Sequence, residues 1–388
     1  MHGRQSARNR RHYAGPMADT LTIPRDMLPR DGRFGSGPSR VRDGQLEALA
    51  AAQPGVLGTS HRQAPVKNVV RSIRDGLAAF YDLPEGYEVI LGIGGATTFW
   101  DAATFSLVER RAQHCAFGEF GAKFAAATTA APFLEPSVVR AAPPGEVALP
   151  APQDGIDVYA WPHNETSTGA MAPVVRVPGD ALTVIDGTSA AGGLPLDPAQ
   201  ADVYYFSPQK SFGSDGGLWF ALVSPAAVAR IERIGSSDRW IPPTLDLASA
   251  LVNSRQDQTL NTPAVATLVM MDAQLQWLNG EGGMSFATAR TSESARRVYQ
   301  WADASSYAET FVTSHSNRSS VVATVDLSSP VDSAQLRSVL KANGVVDIDP
   351  YRKLGRNQIR VGMFPAVDPD DVSALTDCID WLVERLVT

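Results

Sequence analysis

The clearest periodic signal lies early in the chain. Val66, Val69, Val70, Ile73, Leu77 and Phe80 recur three and four residues apart, which predicts an amphipathic helix from Pro65 to Tyr81. The next segment, EVILGIGGATTFWDAATFSLVER, reads as a short apolar strand, a glycine turn and a second amphipathic helix. Four further runs begin apolar and end in polar or glycine-rich residues: DVYAWPHNETSTG, ALTVIDGTSAAGG, DVYYFSPQKSFGSDGG and LWFALVSP. Apolar strands alternating with helices predict an α/β fold, a mainly parallel sheet with helices on both faces. Ligands of such sheets bind beyond the carboxyl ends of the strands. The polar tails therefore predict one site built from Gly94–Thr97, Asn164–Thr166, Asp186 and Gln209–Lys210.

After Thr262-Pro263 the composition shifts. A long helical stretch, AVATLVMMDAQLQWLNGEGG, ends in glycines and reads as a connection between domains. Beyond it, strand SSVVATVDL, helix DSAQLRSVLKANG, strand NQIRVGMF and helix DVSALTDCIDWLVERLV predict a small α+β domain. The expected division is an N-terminal arm over 1–30, a large domain over 31–275 and a small domain over 276–388. The first ~16 residues carry Arg4, Arg8, Arg10 and Arg11 with no acid and no apolar core, and are expected to be a disordered extension. The Ala/Pro stretch near 141–153 reads as a surface linker.

Composition narrows the function. The chain has 388 residues, 44% hydrophobic and 19% charged, which suits a globular protein of two domains. A net charge of −7 argues against a nucleic-acid surface, which needs a concentrated positive face. No apolar run approaches the length of a bilayer span. Cys115 and Cys378 are too few for a disulfide framework or a Cys-based metal site, and read as free thiols of a reducing, cytoplasmic compartment. Lysine is scarce: Lys67, Lys123, Lys210, Lys341 and Lys353 are the only five. Chemistry that needs an amine has few candidates.

Lys210 is the strongest of them. It closes the apolar run VYYFS-PQ and precedes Ser-Phe-Gly-Ser-Asp-Gly-Gly, at a strand tip beside flexible backbone. A lysine in an apolar pocket or beside another cation loses proton affinity, and a neutral amine can form a Schiff base. A random lysine in such a turn more often caps the surface. Asp186, at the tip of the preceding strand LTVID, alters that balance, although alone it would read as a turn residue before Gly187. A carboxylate there can pair with the pyridinium nitrogen of pyridoxal 5'-phosphate (PLP). Gly94-Gly95-Ala96-Thr97 opens a helix directly after a strand, where small residues and free N–H groups suit a phosphate. As a motif it is weak, and it is neither a dinucleotide fingerprint nor a P-loop. His163-Asn164-Glu165-Thr166 offers an amide and a hydroxyl nearby, and Phe120 either stacks on a planar cofactor or is a core aromatic. Arg62, Arg352, Arg356 and Arg360 are candidate anion forks. Arg356 reads as solvated, whereas Arg360 interrupts an apolar strand and points away from Ile359, Val361 and Met363.

Taken together, DGRFGSGPS, GTSHRQAPV, the N-E-T triplet, VID, SPQK followed by glycines, QTLNTPA and YRKLGRNQIRVGMFP closely resemble the phosphoserine aminotransferase family in its actinobacterial form. The resemblance runs from about Pro29 to the C-terminus. It implies a fold-type I, class V PLP-dependent transferase: a homodimer with active sites at the subunit interface, no metal, and small anionic substrates. By position, Lys210 resembles the Schiff-base lysine, Gln209 its cofactor-binding neighbour, Asp186 the pyridinium partner and Thr166 the donor to the cofactor's phenolic oxygen. Ala96 and Thr97 fall at the phosphate cradle, and Phe120 where many relatives place a stacking tryptophan. Asn261 and Thr262 resemble the pair that reaches the phosphate from the other subunit. Arg360 matches the arginine that grips the substrate α-carboxylate. His61, Arg62 and Arg352 match the cluster that accepts the phosphate of phosphoserine or the side-chain carboxylate of glutamate. Tyr351-Arg352 stands where better-known bacterial enzymes have His-Arg, leaving Tyr351 or Lys353 to replace the histidine, and the gap to Arg360 is two residues longer.

The implied reaction is the reversible conversion of L-glutamate and 3-phosphohydroxypyruvate into 2-oxoglutarate and O-phospho-L-serine, in serine biosynthesis. The family also takes 4-phosphohydroxy-L-threonine in pyridoxine biosynthesis. The rival reading is a class V alanine– or serine–glyoxylate-type aminotransferase, which handles uncharged side chains and has no need of Arg62 and Arg352 together.

Overall fold

A computed structural model describes residues 21–387. Two helices come first, α1 (Asp43–Ala52) and α2 (Ala64–Tyr81). α2 buries Val66, Val70, Ile73, Leu77 and Phe80, the stripe its spacing predicts. Pro65 in its first turn and left-handed Asp82 (φ 46°) just past its end fix its limits. The chain continues through β1 (Glu88–Ile93), α3 (Gly95–Ser106), β2 (Ala112–Ala116), α4 (Glu119–Thr129), β3 (Val138–Ala141) and β4 (Val158–Pro162). A two-residue hairpin, β5 (Asn164–Glu165) and β6 (Ala170–Met171), precedes β7 (Leu182–Asp186), β8 (Val203–Phe206) and β9 (Leu218–Val223). Then come α5 (Pro225–Gly235), α6 (Leu247–Arg255) and α7 (Val265–Gly280).

Seven of these strands form one sheet in the order β1-β9-β8-β7-β4-β2-β3. The pairs from β8 to β3 are parallel, while β9 runs antiparallel to both β1 and β8. Alternation along the strands divides the core. Leu91, Ile185, Tyr204, Phe206 and Phe220 face one layer with residues of α2 and α7. Ile90, Val184, Val203, Tyr205 and Trp219 face the other, with residues of α3, α5 and α6. The sheet is thus buried on both faces, and the strands read as continuous apolar runs for that reason.

The C-terminal part contains α8 (Gly283–Ala304), β10 (Ala308–Thr310), β11 (Val322–Leu327), α9 (Ser333–Ala342), β12 (Gln358–Gly362) and α10 (Pro369–Leu386). The antiparallel sheet β10-β11-β12 packs with α8, α9 and α10 around Val325, Leu336, Ile359, Leu375 and Ile379. The division expected at 275/276 falls inside α7, and the chain turns at the left-handed Gly282 and Gly283 instead.

Of the arm expected over 1–30, the described residues 21–30 are anchored at one buried side chain. Ile23 is buried in the C-terminal cluster together with Phe34, and its N–H donates to Asn343 Oδ1 at 2.9 Å. Leu21, Met27 and Leu28 are partly buried against the same cluster, and the hydrogen bond to Asn343 spans 320 residues of sequence. The stretch expected to be disordered, residues 1–16, lies outside the described residues.

Candidate active site

The carboxyl ends of β4, β7 and β8 and the start of α3 enclose a cavity of ≈ 430 Å³. Its walls include Gly94–Thr97, Phe120, Asn164, Thr166, Asp186, Gln209 and Lys210, all expected there from sequence. Trp100, Thr188, Ser189, Ser207 and the Gly37-Pro38 turn line it as well, and sequence reasoning missed them. Trp100 left a readable trace, since it follows Ala96 by four residues and shares its helix face.

Lys210 does not end the strand. β8 stops at Phe206, and a turn through Ser207-Pro208-Gln209 carries the lysine into the cavity. The amine is buried and donates to the Ser36 carbonyl at 2.5 Å. Burial, with Arg360 nearby, pushes its pKa down from 10.5 to about 7, against the opposing pull of Asp186 and Glu165. A segment from the other end of the chain holds the lysine in place. Ser39 N–H donates to the Gln209 carbonyl at 2.8 Å, and the Ser39 hydroxyl to the Lys210 carbonyl. A Cβ on Gly37 would lie 1.9 Å from Lys210 Nζ.

Asp186 ends β7, in register with Pro162 of β4 and Tyr205 of β8. Its Oδ1 accepts from Thr188 N–H at 2.8 Å and its Oδ2 from the Trp100 indole at 3.4 Å. Burial raises its pKa, and those donors oppose the rise. At the start of α3, Gly94 and Gly95 adopt φ of 106° and 76°, which brings the backbone close around the helix N-terminus. Among the described residues, Asn164 Oδ1, Thr188 Oγ1 and Gln209 Oε1 are buried with no hydrogen-bond partner. Buried polar groups normally find partners, so these three mark a space shaped for a polar ligand.

Arg360 lies on β12, half-buried, and its Nη1 donates to the Thr166 carbonyl at 3.0 Å. Its Nε is buried without a partner, and its guanidinium carbon sits 5.6 Å from the centre of the Tyr351 ring. Arg360 lines an adjoining cavity of ≈ 410 Å³, whose wall shares Gly37 and Pro38 with the first. Arg352 stands exposed in the Arg352–Leu354 turn, beside Lys353, which pairs with Glu119. Arg356 is bound to Asp326. His163 bonds the Tyr204 hydroxyl at 3.1 Å and is absent from the cavity wall.

His61, Arg62, Asn261 and Thr262 form a separate group. Thr262 Oγ1 lies 3.2 Å from His61 Nδ1, while Arg62 Nη1 donates to Gln258 Oε1 at 2.9 Å and Nη2 reaches the Leu260 carbonyl at 3.5 Å. None of the four lines the Lys210 cavity. Among the described residues, no group of three or more His, Cys, Asp or Glu could hold a metal ion, and no helix is long and apolar enough to cross a membrane.

Residues 45–348 match the family model described as aminotransferase class-V. The chain belongs to the class V aminotransferases. A relative of this class V aminotransferase from Mycobacterium sp. (strain KMS) is 60% identical over 368 residues, covering 94% of this chain and 99% of its own. One from Nocardioides sp. (strain ATCC BAA-499 / JS614), named phosphoserine aminotransferase, is 55% identical over 374 residues, covering 95% and 100%. In fold, the class V aminotransferase is similar to a crystal structure of a phosphoserine aminotransferase from Cytophaga hutchinsonii, with a TM-score of 0.83 at 21% identity. That match covers 90% of this chain and 99% of the other.

Proposed function

We propose that this chain is a PLP-dependent phosphoserine aminotransferase, moving an amino group reversibly between L-glutamate and 3-phosphohydroxypyruvate. The observation that carries the reading is Lys210, a buried amine with its pKa near 7, in one cavity with the buried carboxylate of Asp186. The name borne by the 55% identical Nocardioides relative supports the substrate.

The residues present fit PLP. Lys210 would carry it, Asp186 would hold the proton at its ring nitrogen, and Phe120 would cover its ring. Thr166 would donate to its phenolic oxygen, with Gln209 beside it, and the N–H groups at Ala96 and Thr97 would take its phosphate. When bound, the cofactor supplies an electron-withdrawing ring that makes loss of the substrate α-proton feasible. The donors Thr188 and Trp100 offset part of the burial that raises the Asp186 pKa. Lys210, with a substantial neutral fraction near pH 7, can take the proton from the substrate Cα and return it elsewhere. Arg360 would bind the α-carboxylate, its free Nε and Nη groups offering the fork that a carboxylate needs.

The substrate's second anion would be read by His61, Arg62 and Arg352. A phosphate and a γ-carboxylate are both anions at similar reach, so one cluster serves both half-reactions. His61 and Arg62, with Asn261 and Thr262, sit off the cavity of their own protomer, and this favours a homodimer in which they complete the partner's site. The reading includes a cytoplasmic location and leaves 4-phosphohydroxy-L-threonine as a second substrate to be assayed alongside.

The test is an absorbance spectrum of the PLP-loaded protein before and after L-glutamate, then O-phospho-L-serine. A visible band that shifts to the near ultraviolet with both donors is the expected result. A band that answers alanine or serine and neither acidic donor would move the substrate to the glyoxylate-type rival. Absence of any visible band after reconstitution overturns the Lys210 assignment.

A further inference from the structure

Glu165 is a fully buried carboxylate with no cationic hydrogen-bond partner among the described residues, placed between two residues that line the cavity, Asn164 and Thr166. Four donors converge on it. Oε2 accepts from Phe120 N–H at 3.0 Å and Gly121 N–H at 3.1 Å, and Oε1 from Ser167 N–H at 3.2 Å and Ser167 Oγ at 2.7 Å. Ser167 Oγ in turn accepts from Glu119 N–H at 3.1 Å. The N–H groups of Glu119, Phe120 and Gly121 belong to the first turn of α4, whose own N-cap, Gly118, has no side chain to offer. A helix start leaves such donors without internal partners, and its dipole favours a negative charge there. Here both needs are met from the β5–β6 hairpin, more than 40 residues away. The fit requires glycine at 118, where a Cβ would lie 2.3 Å from Glu165 Cγ.

Phe120 belongs to that first turn and faces the cavity. Glu165 therefore joins the two walls that flank the cofactor space: the turn bearing Asn164 and Thr166, and the helix start bearing Phe120. We infer that Glu165 is a positioning residue of the active site, holding the start of α4 so that the Phe120 ring lies over the bound cofactor. It acts through Phe120 and touches no reacting atom. The inference rests on the PLP reading above.

A Glu165→Gln variant keeps the shape but turns an NH₂ toward one of the two donor pairs, losing charge-assisted hydrogen bonds on that side. The expected result is a PLP dissociation constant raised about tenfold, with a weakened circular-dichroism signal in the visible band and the band itself retained. A double-mutant cycle with Phe120→Ala decides the route. If Glu165 acts through Phe120, the Glu165→Gln penalty on PLP binding largely disappears in the Phe120→Ala background. Additive losses, or an unchanged dissociation constant and circular dichroism in Glu165→Gln, overturn the inference. Should Glu165→Gln fail to fold, Ser167→Ala removes one of its donors and is read by the same cycle. A wild-type protein with no visible band would defeat the PLP reading itself, whereas a normal wild-type band with an additive cycle defeats this inference alone.

Discussion

At Lys210 an ordinary amine acquires unusual chemistry from its surroundings. Removing it from water, with Arg360 nearby, penalises the charged form more than Asp186 and Glu165 repay. If the neutral amine is the nucleophile that captures PLP, as proposed above, the rate at which apoprotein gains its visible band should climb as pH rises through about 7. An unperturbed lysine would delay the climb to near 10.5. Stopped-flow absorbance across pH 6–9, corrected with a free-amine control, distinguishes the two, and Lys210→Ala should show no band at any pH. The same shift has a stability consequence. Between pH 7 and 10.5 the unfolded chain holds a proton on this lysine that the folded chain has released, so apoprotein stability from this group rises with pH across that window. Sequence pointed to Lys210 and Asp186 because strand tips in an α/β fold converge. It did not show the contacts that Trp100, Ser36 and Glu165 make, whose partners lie 86, 174 and about 45 residues away. Contacts of that range leave no periodic mark in a single chain.

At the scale of elements, what was legible is what burial writes into side chains. The strands β4, β7 and β8 stood out as apolar runs because both faces of the sheet are covered, and α2 stood out because only one of its faces is. The antiparallel direction of β9 was not legible, since reversing a doubly buried strand changes its hydrogen-bond polarity and leaves its composition alone. Packing of residues 21–34 on the C-terminal sheet was equally hidden, because a few apolar residues near a chain end resemble any loop. The start of α3 offers a test at this scale. Gly94 holds φ 106°, and a Cβ there would lie 2.3 Å from Thr98 Oγ1. Gly94→Ala should cost roughly 1–3 kcal/mol in backbone strain and tilt the α3 N-terminus away from the phosphate position. Thermal denaturation of the apoprotein reports the first effect and PLP titration the second. A variant with wild-type PLP affinity would show that this turn does not cradle the phosphate.

At the scale of the whole molecule, the group formed by His61, Arg62, Asn261 and Thr262 decides how many chains an active site needs. Thr262 and His61 contact each other, Arg62 is tied to Gln258, and all four stay off the cavity that Lys210 and Asp186 define. If they serve the partner's cavity, each site in a dimer takes its lysine from one chain and part of its anion clamp from the other. Lys210→Ala and Arg62→Ala homodimers should then both turn over phosphoserine poorly, the first for want of an amine and the second through a raised KM. Subunits mixed in equal amounts and allowed to exchange would form heterodimers for half of the population. Each heterodimer holds one site with both defects and one with neither, so activity should recover to roughly a quarter of wild type. A clamp acting within its own chain predicts no recovery, because every site would then keep one defect. Sedimentation of the mixture, run alongside the assay, separates failure to exchange from a clamp that works in cis.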